Sequence, residues 1–184
     1  MKTILICGAT GFIGKNLLEY YSKKDYKIRA TYRNRQPHKQ YDNVEWVRCD
    51  LRDLDDIRDV IRGVDIVMQF AATTTGAKDI VSKPYIHVTD NAVMNSLLLR
   101  EAFENNVEHF IYPSCTIMYQ KSETALKETD FDPADDIQSF YYGAGHTKVY
   151  LENMCKFYAG FKRTKHTVMR HSNMYGPFDK YDLE

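Results

Sequence analysis

The chain is short of nearly everything that would mark a specialised class. Neither sign of charge is in surplus: 25 Lys and Arg stand against 25 Asp and Glu in 184 residues. Such a balance leaves no electrostatic footprint for nucleic acid or an anionic membrane surface, so neither is expected as a partner. Cysteine is scarce. Cys7, Cys49, Cys115 and Cys155 form no CxxC pair and lie near no ligand-spaced histidine. That argues against a zinc site and against a disulfide framework, and no metal is expected. Long hydrophobic runs are missing too. The N-terminal apolar run stops at Gly8, too short for a signal peptide or a membrane span, and a cytoplasmic location is expected. There is no internal repeat, no low-complexity segment and no Gly/Ser linker. With 43% hydrophobic and 27% charged residues, the chain is an ordinary globular one, long enough for one domain with a sizeable core.

What is present is an alternation. Strand-like runs at Thr3–Cys7, Lys27–Tyr32, Val44–Cys49, Val64–Phe70, His109–Tyr112 and Thr167–Arg170 are separated by helical patterns. The helices are expected at Phe12–Lys23, Leu54–Ile61, Pro84–Asn105 and Tyr142–Phe161, the last starting within its glycines. Strand, helix, strand, repeated, implies an α/β fold with a doubly wound parallel sheet. Continuous apolar strands such as Ile66-Val67-Met68 fit a sheet covered on both faces. Ligands of such sheets bind beyond the carboxyl ends of the strands.

The first of those ends carries Gly8, Gly11 and Gly14 in a G-x-x-G-x-x-G spacing, with Thr10, Phe12 and Ile13 between them. A strand before and a helix after make this a phosphate cradle. The glycines allow the tight turn, the approach of a pyrophosphate and close helix packing, and the helix N-terminus offers free N–H groups. The second strand ends in Thr31-Tyr32-Arg33-Asn34-Arg35 rather than in an acidic residue. Arg33 and Arg35 are placed to hold a ribose 2′-phosphate, which favours NADP, with NAD as the alternative. Asp50, after the third strand, is a candidate acceptor for the adenine amino group.

These residues resemble a known family, the extended short-chain dehydrogenase/reductases of the nucleotide-sugar epimerase/dehydratase group. The resemblance rests on Gly8-Ala9-Thr10-Gly11-Phe12-Ile13-Gly14, Cys49-Asp50-Leu51, Phe70-Ala71-Ala72, Asn91, Phe110-Ile111-Tyr112-Pro113-Ser114 leading to Tyr119, Lys148 with Glu152, and Arg170-His171-Ser172-Asn173-Met174-Tyr175-Gly176-Pro177. They follow the family's order over nearly the whole chain, and the last stretch looks most like the GDP-fucose and GDP-colitose synthase branch.

The resemblance implies a Rossmann dinucleotide-binding domain over residues 1–184 that binds cofactor through the cradle, Arg33, Asp50, Leu51, Ala71, Ala72, Lys148, His171 and Asn173. It implies hydride transfer at a sugar carbon of a nucleotide sugar, in an epimerase, reductase or dehydratase. It implies a homodimer through the two long helices. It also implies that the family's smaller C-terminal substrate region is mostly missing here.

The catalytic pattern departs from the family's. The residue four before Lys148 is Ala144 where a tyrosine is usual, and the usual orienting hydroxyl falls on Cys115. Ser114 and Thr116 flank Cys115 as alternative hydroxyls. Tyr142, on a loop ahead of a helix starting near Gly145, is the candidate replacement tyrosine. Glu152, one helical turn beyond Lys148, is expected to anchor it. The alternative function is a cofactor-binding sensor or scaffold with impaired catalysis.

Overall fold

A computed structural model describes residues 1–74 and 82–179. Six parallel strands form one sheet: β1 (Lys2–Cys7), β2 (Tyr26–Tyr32), β3 (Val44–Arg48), β4 (Ile66–Gln69), β5 (His109–Cys115) and β6 (Lys165–His171). Their order is β3-β2-β1-β4-β5-β6. The direction of winding reverses between β1 and β4, the switch point at which doubly wound sheets bind ligands. Among the described residues, the α-helices between the strands are α1 (Phe12–Tyr21), α2 (Leu54–Ile61), α3 (Thr89–Glu104) and α4 (Tyr142–Gly160).

The helix starts follow local chemistry. Asp53 caps α2, its Oδ1 accepting from the N–H groups of Asp55 (2.9 Å) and Asp56 (3.1 Å). Both acidic residues lie in the first turn, where the helix dipole favours them. Pro84–His87 forms a short 3-10 turn, and α3 starts only at Thr89.

Two strands run longer than their sequence patterns. β5 continues through Pro113 to Cys115 because β6 pairs with it as far as Cys115–His171. Its pairing with β4 has already ended at Ile111, so the missing N–H of Pro113 breaks no bond on that side. β6 starts at Lys165, where His109–Lys165 opens the same ladder.

The core lies mainly on one face. Leu5, Val67, Phe110 and Tyr112 of the sheet pack against Ile57, Ile61, Leu98, Leu99, Ala102 and Leu151 of α2, α3 and α4. On the other face, α1 inserts Leu18 against Ile4, Ile6, Ile28, Ala30 and Met68. The expected cover on both faces holds for β1 but not for the β5–β6 half. There, buried and half-buried residues alternate along β5, and Met169 of β6 is exposed.

Candidate active site and cofactor groove

The functional side chains converge on the carboxyl ends of the strands. At the end of β1, Gly8 takes φ +72, and a Cβ there would sit 2.7 Å from the backbone of Ala71. A Cβ on Gly14 would approach the Gly8 carbonyl oxygen to 2.2 Å. The turn is held by the Gly11 N–H on the Gly8 carbonyl (2.9 Å) and the Ala9 N–H on the Thr31 carbonyl (3.0 Å). Helix α1 then starts with no capping side chain and no acidic residue in its first turn. Its first N–H groups, from Phe12 and Ile13 onward, are left for an anion, and the helix dipole supplies partial positive charge.

A polar clamp shapes the wall opposite the cradle. Asn91 of α3 pins Thr73, accepting from its N–H (2.9 Å) and donating to its carbonyl (2.9 Å). Buried Gln69 donates to the Ala71 carbonyl (3.2 Å) and to Asn95 Oδ1 (3.0 Å), and accepts from the Ala71 N–H (3.2 Å). Ala71 and Ala72 are thereby fixed beside Gly8. Sequence reasoning missed Gln69 and Asn95. Two amides amid apolar strand and helix residues were the available signal, since buried polar groups require partners.

Two expected roles change at the carboxyl ends of β2 and β3. Arg35 turns back and donates to the Thr10 carbonyl (3.4 Å), bracing the cradle instead of standing beside Arg33. Both carboxylate oxygens of Asp50 are taken by Arg52, at 2.9 Å from Nε and 2.6 Å from Nη2. Arg52, hydrogen-bonded there, holds the Asp50 carboxyl down at about 2. Asp50 is therefore half of an ion pair, not the free acceptor expected for an adenine amino group. Leu51 is a core residue, packed with Cys49 and Ile57. A cleft of about 560 Å³ is lined by Arg33, Asn34, Arg48, Asp50, Arg52 and Asp56.

The expected catalytic residues and His171 lie on β5 or just after it, on α4 and on β6. Lys148 donates to the Pro113 carbonyl (2.9 Å), and its ammonium lies 4.8 Å from the centre of the Tyr112 ring. Burial lowers its pKa from the usual lysine value. Glu152 does not anchor it. Arg170 claims that carboxylate with three hydrogen bonds of 2.7 to 3.1 Å. Cys115 is half-buried. Desolvation raises its thiol pKa, opposed by the Lys148 charge and the Ile117 N–H. His171 stands opposite Cys115 in the β5–β6 register. Burial, then the Lys148 charge, lowers its pKa. Its imidazole thus lies within reach of the Lys148 charge.

The other catalytic candidates separate. Ser114 is fully buried with its hydroxyl on the Met118 sulfur at 3.6 Å, so it faces the core and not a ligand. Thr116 is exposed on the turn after β5. Tyr142 does not precede the helix: α4 begins at Tyr142 itself. Six residues from Lys148, it lies about a third of a turn off that residue's stripe. It is 63% exposed and packs edge-on against His146 at 4.4 Å. Asn173 is exposed on the stretch after β6. That stretch returns to α1, where Asn16 donates to the Pro177 carbonyl (2.8 Å) and Lys15 lies over Phe178.

No cluster of metal-ligating side chains occurs among the described residues, and none of their helices is long and apolar enough to cross a membrane.

The arrangement has known counterparts. Over 182 residues the chain is 30% identical to GDP-mannose 3,5-epimerase 1 of Oryza sativa subsp. japonica, covering 95% of this chain and 47% of that protein. It is 26% identical over 190 residues to dTDP-4-dehydro-6-deoxy-D-allose reductase of Streptomyces bikiniensis, covering 98% of this chain and 58% of that one. In fold it matches the Thermus thermophilus UDP-glucose 4-epimerase in complex with NAD with a TM-score of 0.81, at 21% identity, over 97% of this chain and 57% of that one. The chain thus spans about half the length of the relatives it matches. The profile described as the NAD dependent epimerase/dehydratase family matches residues 4–184, and the chain belongs to that family.

Proposed function

We propose that the chain is the cofactor-binding portion of an NADP-dependent enzyme that transfers hydride at a sugar carbon of a nucleotide sugar, as an epimerase, reductase or dehydratase. The observation that carries this reading is Lys148. Its ammonium is fixed on the Pro113 carbonyl near the carboxyl end of β5, in the sheet whose β1 carries the cradle at the same end, and has no carboxylate within ion-pair distance among the described residues. The residues fit a dinucleotide: the turn excludes any Cβ at Gly8 and Gly14, and Arg33 offers a guanidinium with no ion-pair partner among the described residues at the far end.

A bound nicotinamide supplies the hydride carrier. Lys148 keeps N–H donors beyond the one on Pro113, suited to a ribose diol. Its charge also favours the anionic form of any acid beside it, and the acids in reach are the Cys115 thiol and a substrate hydroxyl. Thr116 offers the exposed hydroxyl. The long helices support a homodimer. Tyr150 and Phe157 of α4 and Phe161 just after it form an exposed apolar stripe, with Val93 of α3 also exposed.

A second reading, a cofactor-binding module without turnover, is favoured by Ala144 in the usual tyrosine position and by the outward Tyr142. Incubation with NADPH and a panel of GDP-, CDP-, UDP- and dTDP-keto sugars separates the two. Loss of nicotinamide absorbance, abolished in Lys148→Met, is the expected result. NADPH binding with no turnover on any member of the panel would leave the second reading.

A further inference from the structure

Arg33 and Arg48 have no ion-pair partner among the described residues, although both line the cleft at the adenosine end. They come from neighbouring strand ends: Arg33 follows β2 directly and Arg48 is the last residue of β3. Tyr32 of β2 pairs with Arg48 of β3, so Arg48 stands next to Arg33 across the sheet. Its Nε donates to the Arg33 carbonyl (3.4 Å), which orients the guanidinium and leaves both terminal nitrogens without a hydrogen-bond partner among the described residues.

The two carboxylates of the cleft do not cancel this charge. Asp50 is paired with Arg52. Asp56 accepts the Asp50 N–H (2.7 Å) and sits in the first turn of α2, where the helix dipole offsets its charge. Three guanidiniums therefore face two satisfied carboxylates; of the other basic residues of this loop, Arg35 is committed to Thr10 and Lys39 to Glu19. Two planar forks with free N–H groups suit a phosphate monoester dianion, which accepts several charge-assisted bonds at once.

We propose that Arg48 is a specificity-determining residue: with Arg33 it forms a two-strand clamp for the phosphate monoester on the adenosine ribose. This inference rests on the NADP reading above and assigns its selectivity to β3 as well as to the loop after β2. Arg35 has no part in the clamp.

Adenosine 2′,5′-bisphosphate and adenosine 5′-monophosphate test it by titration calorimetry, since they differ only in that phosphate and need no turnover. The intact protein is expected to prefer the bisphosphate. Arg48→Gln should weaken bisphosphate binding by about tenfold, the scale of one charge-assisted contact, and leave monophosphate binding unchanged. Arg48→Lys, which keeps the charge and loses the fork, should fall between. Arg62→Gln, on an exposed residue paired with Asp59, should change neither affinity and so controls for net charge. An Arg48→Gln variant with undiminished preference for the bisphosphate, beside an Arg33→Gln variant that has lost it, would overturn the role of β3 and keep the NADP reading. Equal affinity of the unmodified protein for both probes would overturn both.

Discussion

Arg170 shows how one side chain can reassign several others. Its guanidinium binds both Glu152 oxygens, the Tyr119 hydroxyl (2.9 Å) and the Glu128 carbonyl (3.0 Å), and lies over Phe131 at 4.7 Å. Glu152 and Arg170 are both largely buried, so removing one partner strands the other charge away from water. Glu152→Ala should cost about 3 kcal/mol in urea unfolding, the scale for a broken buried pair. Cofactor affinity should hardly change, because Lys148 is held by Pro113. A stability loss under about 1 kcal/mol would contradict this account.

Asp50 gives the opposite case, a pair open to solvent. Its carboxyl is held at about 2 by Arg52, below the roughly 3.9 of an unfolded aspartate. A depressed folded pKa contributes stability that is present above the unfolded value and lost as pH falls towards the folded one. Stability should therefore decline between about pH 4 and pH 2 in part through this residue. In Arg52→Gln that share of the decline should vanish, as read from urea midpoints across the range.

At the scale of elements, the β1–α1 unit depends on backbone contact. Gly14 lies against the Gly8 carbonyl, and Gly8 against Ala71. Gly14→Ala would push α1 off the strand, since backbone cannot yield as a flexible side chain can. A loss of about 3 kcal/mol or more is expected, at or above the usual range for overpacking. Loss of NADPH binding should accompany it, because the helix N-terminus moves with the glycine. A folded variant with native affinity would show that the cradle tolerates a displaced helix.

The same scale explains why the outline was legible early. Strand and helix periods, the glycine spacing and the Asp53 cap are local properties, and the elements formed where those patterns lay. The start of α4 was not legible. Gly143 and Gly145 look like a delayed start, yet Tyr142 already begins the helix. Gly145 is used for packing instead: a Cβ there would meet Ile137 at 2.7 Å. β5 outran its pattern for a similar reason, since its last residues answer to β6 rather than to their own composition.

For the whole molecule, the uneven cover of the sheet and the apolar stripe on α4 are the main facts. Tyr150 and Phe157 of α4 and Phe161 just after it are exposed. Burying them against the same helices of a second copy would remove several aromatic faces from water. Sedimentation velocity should find a dimer, and Phe157→Glu should convert it to a monomer by placing a charge in that contact. A monomeric unmodified protein at micromolar concentration would defeat the dimer proposal.

The sequence by itself determined the cradle and the order of the elements, because both are written in spacings along the chain, and its motifs carried the resemblance to the family. It could also place Lys148 and Glu152 on one helix face, Lys first, the weaker orientation for such a pair. Only the tertiary structure decided which partner each charge took. Glu152 went to Arg170 of β6, Arg35 to the Thr10 carbonyl, and Arg48 to the cleft beside Arg33. The reason is physical. A helical period states which residues share a face. Sheet order and register decide which distant charge arrives there, and a well-oriented bidentate partner across the fold outcompetes a neighbour one turn away.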